Sequence, residues 1–154
     1  MRCYIWGTNN CADRAESGSG AACFVIPDWG LQFRAAQEGS AIVCELAALL
    51  ALLRFVENNQ RVFEGHRLEV MTDASQLVEQ LNGRAPLDTL HQRSFALIRS
   101  LRERVRFEIA WVPSEQNRAI DGVLDLPPLK TKFQIQHTAV SKRSPEPPDR
   151  RFNS

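Results

Sequence analysis

The chain has 154 residues, of which 44% are hydrophobic, and its formal net charge is +1. This length and composition predict one globular domain with its own core, and the near-neutral charge excludes an overall basic field that attracts nucleic acid. The longest apolar run, residues 46–53, is too short to cross a bilayer and no secretory signal is recognisable, so we expect no membrane association and a cytoplasmic location.

The first forty residues have the pattern of three antiparallel strands. Residues 1–8 and 21–28 are rich in apolar side chains, and residues 31–37 alternate between apolar and polar ones. Asp28-Trp29-Gly30 predicts a turn between the second and third of these strands.

The middle of the chain alternates predicted helices with predicted strands. Helices are predicted over residues 40–58, 74–83 and 87–104, strands over 67–73 and 105–112, and a last helical piece ends near residue 124. This order predicts an α/β fold with a mixed sheet covered by helices. The helix over 87–104 is predicted to bury one stripe, which consists of Leu87, Leu90, Leu97, Ile98, Leu101 and Val105. The last strand is predicted to place on one face Val105, Phe107, Ile109 and Trp111.

The composition changes near the C-terminus. Residues 127–154 hold five of the eight prolines and six Lys or Arg side chains against two acidic ones. We therefore predict a domain over residues 1–126 and a mostly disordered, basic tail over 127–154. The tail either adds salt-sensitive affinity for nucleic acid or is dispensable.

Glu45 is an isolated charge in an apolar helix. Its neighbours one and two turns away are all apolar, namely Ala41, Ile42, Ala48, Leu49 and Leu52. Burying a carboxylate in such a surface is costly unless a cation or hydrogen-bond donors compensate it. We interpret Glu45 as a functional carboxylate. The alternative is a solvent-facing side chain on an unusually apolar outer face.

Two further acids lie where a strand meets a helix. Asp73 ends a predicted strand and is followed at once by a helix, which is a common position for a functional carboxylate. The alternative role for Asp73 is the N-cap of that helix. Asn117 and Asp121 lie four residues apart after the last core strand, so a helix there would present both on one side.

Glu45, Asp73 and Asp121 together suggest a site for divalent metal. They come from three separate segments, each at a predicted strand end or sheet-facing position. Mg²⁺ prefers carboxylate oxygens and keeps several waters, and paired ions can hold the attacking and leaving oxygens of a phosphodiester. We therefore expect Mg²⁺ or Mn²⁺ as the cofactor.

The element order and the segments "CELAALLALL", "VMTDASQLVEQLNG" and "WVPSEQNRAID" resemble the ribonuclease H family. The likeness is to its bacterial and plant branch with a short final loop, and it covers residues 1 to about 124. The resemblance implies a mixed five-stranded sheet, in which three antiparallel strands precede two parallel ones. It also implies endonucleolytic hydrolysis of the RNA strand of RNA–DNA hybrids by four acids that bind Mg²⁺. Glu45, Asp73 and Asp121 match the second, third and fourth of these acids.

The first acid of the family lies in a T-D-G-S-like turn at the end of strand one. Matching the strand end and the following hairpin places Asn9 at that acid's position. An alternative match with a short gap places Trp6 there and is the poorer fit. Asp13 and Glu16 in the next loop are the nearby acids that could substitute. An amide keeps one oxygen ligand but brings no charge, so we expect attenuated activity.

Several polar side chains are candidates for contact with nucleic acid, either an RNA–DNA hybrid or duplex RNA. They are Gln76, Asn117, Arg14, Arg84 and Arg118. Exposed arginines are often only solvated surface. The family's asparagine pair before the helical Glu, which contacts the hybrid, is replaced here by Ser40-Ala41-Ile42. We expect the protein to be a monomer. Two hypotheses follow for its function: an attenuated nuclease, or a non-catalytic module that binds nucleic acid or a protein partner.

Overall fold

A computed structural model describes residues 1–9 and 19–120. The predicted tail and the predicted boundary at residue 126 lie outside these residues. Within them the strands are β1 (Arg2–Thr8), β2 (Ser19–Ile26), β3 (Leu31–Glu38), β4 (Leu68–Thr72) and β5 (Phe107–Trp111). The helices are α1 (Ala41–Asn58), α2 (Gln60–Phe63), α3 (Ser75–Leu81) and α4 (Gln92–Arg104), and short 3-10 turns span Pro27–Trp29, Thr89–His91 and Ser114–Gln116.

The strands form one mixed five-stranded sheet in the order β3-β2-β1-β4-β5. β1, β2 and β3 pair antiparallel, whereas β4 pairs parallel with β1 and β5 pairs parallel with β4. The predicted fold class is therefore confirmed. Because β1 is the central strand and is covered on both faces, its middle residues Cys3, Tyr4 and Ile5 are all buried.

The main core lies between one face of the sheet and α1. Fully buried leucines of α1 pack on this face of the sheet, where Ile5, Phe24 and Val70 are their partners. α4 contributes Phe95 and Ile98 to the same core. The opposite face carries a smaller cluster around Tyr4, Val25 and Ala119, and Trp6 and Met71 pack against it.

The buried stripe predicted for the helix over residues 87–104 is partly wrong. Ile98, Leu101 and Val105 are buried as expected, but Leu87 and Leu90 are 39% and 84% exposed, and Leu97 is 43% exposed. α4 begins only at Gln92, after a separate 3-10 turn, so the helical period does not extend back to Leu87 and Leu90. The face of α4 that packs on the core is defined by Phe95, Ile98 and Leu101.

The predicted face of the last strand also needs correction. Phe107 and Ile109 are buried, but Trp111 is 53% exposed because it ends the edge strand. Val105 lies before the strand, as the C-cap of α4, and is buried there. Among the described residues, no helix is long and apolar enough to span a membrane.

Candidate functional site

α1 makes its closest approach to the sheet at Gly7 of β1. A Cβ atom on Gly7 would lie 2.6 Å from the Cα of Glu45 and would also overlap backbone atoms of Glu45 and Cys44. Only glycine leaves room for the helix backbone at this point. The contact fixes α1 so that Glu45 lies directly over the carboxyl end of β1.

Glu45 is buried and held by two donors. It is 3% exposed, which excludes the solvent-facing alternative. The backbone N–H of Gly7 donates to Oε2, and the hydroxyl of Thr72 at the end of β4 donates to Oε1. The pKa of Glu45 is raised to about 7, and burial is the largest cause; the bonds from Thr72 and Gly7 oppose this rise, and the charge of Asp73 adds to it. Glu45 therefore carries a proton near neutral pH far more readily than an exposed glutamate.

Asp73 follows β4 directly and is held at both carboxylate oxygens. The Ser114 hydroxyl donates to Oδ2 at 2.8 Å, and the Asn117 amide donates to Oδ1 at 3.0 Å. The indole N–H of Trp111 donates to the Asp73 backbone carbonyl at 3.3 Å. The N-cap position of α3 is Ala74 and has no side-chain cap, so the N-cap role for Asp73 is wrong. Asp73 is half-buried, and its fixed carboxylate remains open to solvent on one side.

Asn117 supports the site from within. It is 1% exposed; its Nδ2 donates to the carbonyl of Ile5 at 2.9 Å as well as to Asp73, and its Oδ1 accepts from the N–H of Ala119 at 3.1 Å. All of this amide is used inside the protein. The expected direct contact of Asn117 with nucleic acid is therefore corrected to a positioning role, because the side chain is buried and both its N–H groups are used inside the protein.

The other predicted residues have different outcomes. Asn9 is exposed just beyond β1, and Gln76 is exposed in the first turn of α3, close in sequence to Asp73. Arg118 is exposed beside Asn117. Arg84 lies beyond the far end of α3 and pairs with Glu79 at 2.9 Å, which places it away from Asp73. The predicted residues outside the described ranges are Arg14, Asp13, Glu16 and Asp121.

Two acids of the described part of the chain are candidates to hold a hard divalent ion. Glu45 and Asp73 supply only carboxylate oxygens, which suit Mg²⁺ or Mn²⁺. No group of three His, Cys, Asp or Glu side chains in residues 1–9 and 19–120 could hold a metal. β1, the strand beside Asp73, contains no acid from Arg2 to Thr8. A second ion would therefore lack a carboxylate on that strand.

Sequence reasoning missed four residues of this site: Gly7, Thr72, Ser114 and Trp111. A glycine inside a strand often marks close approach of another backbone, so Gly7 carried a usable signal. Thr72 directly precedes Asp73, but alternation alone does not reveal its bond to Glu45. The contacts of Ser114 and Trp111 with Asp73 span about forty residues, and no local pattern predicts them.

Comparison with solved structures identifies the fold. LC11-RNase H1, isolated from compost by a metagenomic approach, aligns with a TM-score of 0.67 at 20% identity, over 79% of this chain and 90% of that one. LC11-RNase H1 in complex with an RNA/DNA hybrid aligns with a TM-score of 0.64 at 20% identity, over 80% of this chain and 98% of that one.

A third similar structure is RNase H1 from the halophilic archaeon Halobacterium salinarum, with a TM-score of 0.61 at 22% identity, over 79% of this chain and 92% of that one. No profile of a known protein family matches the sequence, and no curated protein matches it. The mixed five-stranded sheet with flanking helices agrees with these alignments. The chain has a ribonuclease H-like fold.

Proposed function

We propose that this chain binds RNA–DNA hybrids or duplex RNA at the carboxyl ends of β1 and β4, and slowly hydrolyses the RNA strand of the hybrid. The hydrolysis would be endonucleolytic and would depend on Mg²⁺ or Mn²⁺. The observation that carries the proposal is the buried carboxylate of Glu45, held over the strand end that presents Asp73. An apolar helix has no packing reason to keep such a group. The hybrid bound to LC11-RNase H1 supports the choice of ligand.

Each carboxylate has a distinct role in this proposal. Asp73 is half-exposed and fixed by Ser114 and Asn117, so it would hold the ion. Glu45 would contribute its carboxylate from the buried side of the site. Asp121, one residue beyond the helical residues 118–120, is the proposed third ligand. When bound, the ion would activate water and neutralise charge that develops on the phosphate. A cation beside Glu45 would also favour its ionised form, so binding of the ion should release a proton.

Groups around the carboxylates would contact the nucleic acid. Gln76 is exposed in the turn after Asp73, where it would contact the groove. Arg118 is exposed beside the site, and we propose that it and Arg14 contact phosphates. Such contacts give affinity that falls as salt rises and carry little sequence preference.

The direct test is cleavage of a labelled RNA–DNA hybrid. The natural chain is incubated with Mg²⁺, Mn²⁺ or EDTA, and Asp73→Asn is the matched variant because it keeps the shape and removes the charge. We expect slow cleavage of the RNA strand with either ion, none in EDTA, and a rate about a hundredfold lower in the variant, equivalent to about 3 kcal/mol of transition-state stabilisation. Equal rates for both chains would contradict the proposal.

A second candidate is a non-catalytic module that binds nucleic acid or a protein partner through the same fold. It is favoured by β1, which has no acid from Arg2 to Thr8 and is followed by the neutral Asn9. As a nucleic-acid-binding module, this candidate predicts that hybrid binds without being cleaved and that Asp73→Asn binds at least as tightly. Fluorescence anisotropy with labelled hybrid at several salt concentrations would show both.

A further inference from the structure

The position of the missing carboxylate can be located from Gly7. α1 packs so closely on β1 that a side chain at residue 7 would overlap backbone of Cys44 and Glu45. The T-D-G-S-like turn of the ribonuclease H family has its glycine directly after the acid. Gly7 is the residue of β1 at which the structure requires glycine, and the residue directly before it is Trp6.

The strand register gives the same position independently. β1 and β4 pair parallel, with Arg2 opposite Glu69 and Tyr4 opposite Met71. Extended by two residues, this register puts Trp6 level with Asp73. Asn9 follows the end of β1, three residues beyond Trp6, and would lie about 10 Å further along if the strand continued. A local contact agrees with the register, because the carbonyl of Ile5 and the carboxylate of Asp73 each lie within 3.0 Å of the same Asn117 nitrogen.

The faces of the sheet separate the two positions as well. Thr72 reaches Glu45 on the α1 face, so the next residue, Asp73, points to the opposite face. Trp6 points to that face too, where it packs against the cluster of Tyr4, Val25 and Ala119. Asn9 would follow Gly7 on the α1 face if β1 continued. Level with Asp73 and on the same face of the sheet, Trp6 has the placement that a first ligand needs.

We propose that Trp6, and not Asn9, occupies the position of the first carboxylate, and that its indole limits metal binding and turnover. An indole offers one N–H donor and no acceptor, so it cannot act as a ligand for a cation. This inference rests on the proposed function, because it explains why the hydrolysis is slow. The low metal affinity that it predicts can be measured without nucleic acid.

The test compares three variants by their affinity for Mn²⁺ alone, measured by electron paramagnetic resonance. Trp6→Asp and Trp6→Asn both remove the indole and have the same size, but only the first adds a charge. Asn9→Asp adds the same charge at the competing position. We expect Trp6→Asp to bind Mn²⁺ at least tenfold more tightly than Trp6→Asn, and Asn9→Asp to gain less than threefold over the natural chain. Hybrid cleavage measured in parallel should rise in Trp6→Asp.

The outcomes separate this inference from the proposed function. Equal Mn²⁺ affinities for Trp6→Asp and Trp6→Asn, or a larger gain in Asn9→Asp, would overturn the placement. A gain in Mn²⁺ affinity without cleavage by any chain would uphold the placement while the proposed hydrolysis fails. If the Trp6 variants do not fold, nuclear Overhauser effects in the natural chain decide. Contacts from the Trp6 ring to Ala119 and Asp73 support the placement, and contacts from Asn9 to Asp73 in their place contradict it.

Discussion

Glu45 and Asn117 show how single polar residues are kept inside this fold. Glu45 is compensated by a backbone N–H and a threonine hydroxyl, and Asn117 satisfies both its donor and acceptor groups internally. Buried polar groups persist when their hydrogen bonds are made, and removing one partner is more costly than the net value of the bond. Both residues connect the ends of different elements, so each affects how the carboxylates are placed.

The stability of the protein should depend on pH through Glu45. Its pKa in the folded chain is raised to about 7 from an ordinary value of 4.5. The folded state therefore holds a proton that the unfolded chain loses, and the resulting stability is complete below about pH 4.5 and is lost as pH rises towards 7. Glu45→Gln removes this titration. Its free energy of unfolding, relative to that of the natural chain, should rise by about 2–3 kcal/mol between pH 5 and 7.5.

Urea denaturation in EDTA at several pH values measures this difference. The matched control is Glu64→Gln, which changes an exposed carboxylate at the end of α2 and should leave the pH dependence of the natural chain in place. A difference between Glu45→Gln and the natural chain that stays constant from pH 5 to 7.5 would show that Glu45 does not titrate in this range.

Replacement of Asn117 by alanine should destabilise the fold. The change leaves the carbonyl of Ile5, the carboxylate of Asp73 and the N–H of Ala119 without their partner in a buried site. We expect the free energy of unfolding to fall by about 2–4 kcal/mol, measured by urea denaturation at neutral pH. Ser114→Ala removes the other donor to Asp73 at an exposed position and should cost less than about 1 kcal/mol. Equal losses for the two variants would argue against the internal role of Asn117.

At the scale of elements, the packing of α1 on β1 determines the geometry of the site. The helix backbone lies against Gly7, and this contact brings Glu45 to Thr72 and to the strand end that carries Asp73. The same arrangement explains why the apolar face of α1 can contain one acid. Glu45 lies at the edge of the core where donors from β1 and β4 are available.

Gly7→Ala should therefore disturb the site and the fold together. The added methyl group would meet backbone atoms of α1, which cannot rotate away as a side chain can. We expect a loss of at least about 2 kcal/mol in the free energy of unfolding. Gly30→Ala is the control, because Gly30 has a positive φ of 59° but open space around it, so it should cost only about 1 kcal/mol of backbone strain. Thermal unfolding of both variants would reveal the difference, and a smaller loss for Gly7→Ala would contradict the close packing.

The elements also show what the sequence could predict. Hydrophobic periodicity was sufficient for the order of helices and strands along the chain and for the burial of Glu45, because both follow from neighbours along one element. It was insufficient for Asn117, because contact with nucleic acid was predicted for a helix that includes residue 117. Asn117 instead has extended backbone angles, with ψ at 100°, after a 3-10 turn, and so it points inward. The predicted burial of Leu87 and Leu90 was wrong for a similar reason, because α4 starts after them.

The choice between Asn9 and Trp6 illustrates a different limit. Matching the end of a strand to a family pattern uses only local sequence, and it favours Asn9. The residue that lies level with Asp73 depends on the pairing of β1 with β4, which are separated by the whole of α1. Gly7 was the local sign of the position that we propose, but its meaning depends on the helix that packs against it.

At the scale of the whole molecule, the candidate functional groups lie at one end of the sheet. Parallel strands place their carboxyl ends together, which is where α/β folds commonly bind ligands. Glu45, Thr72, Asp73 and Trp111 all lie at this end. The opposite end of β1 is closed by Trp29, whose ring packs on Phe63 at a centroid distance of 4.5 Å. Trp6 and Trp111 lie towards the first end, and Trp29 lies at the other.

The three tryptophans allow one direct measurement of the binding site. Trp111 lies beside Asp73 with its side chain 53% exposed, Trp6 lies level with Asp73, and Trp29 lies at the far end of the sheet. The measurement follows the three indole N–H signals in a nitrogen-15 nuclear magnetic resonance spectrum while an RNA–DNA hybrid is added in the presence of Mg²⁺. We predict that the Trp111 signal shifts most, that the Trp6 signal shifts with the same saturation curve, and that the Trp29 signal stays in place. A shift largest at Trp29, or no shift of any indole at saturating hybrid, would contradict a hybrid-binding site at the carboxyl ends of β1 and β4.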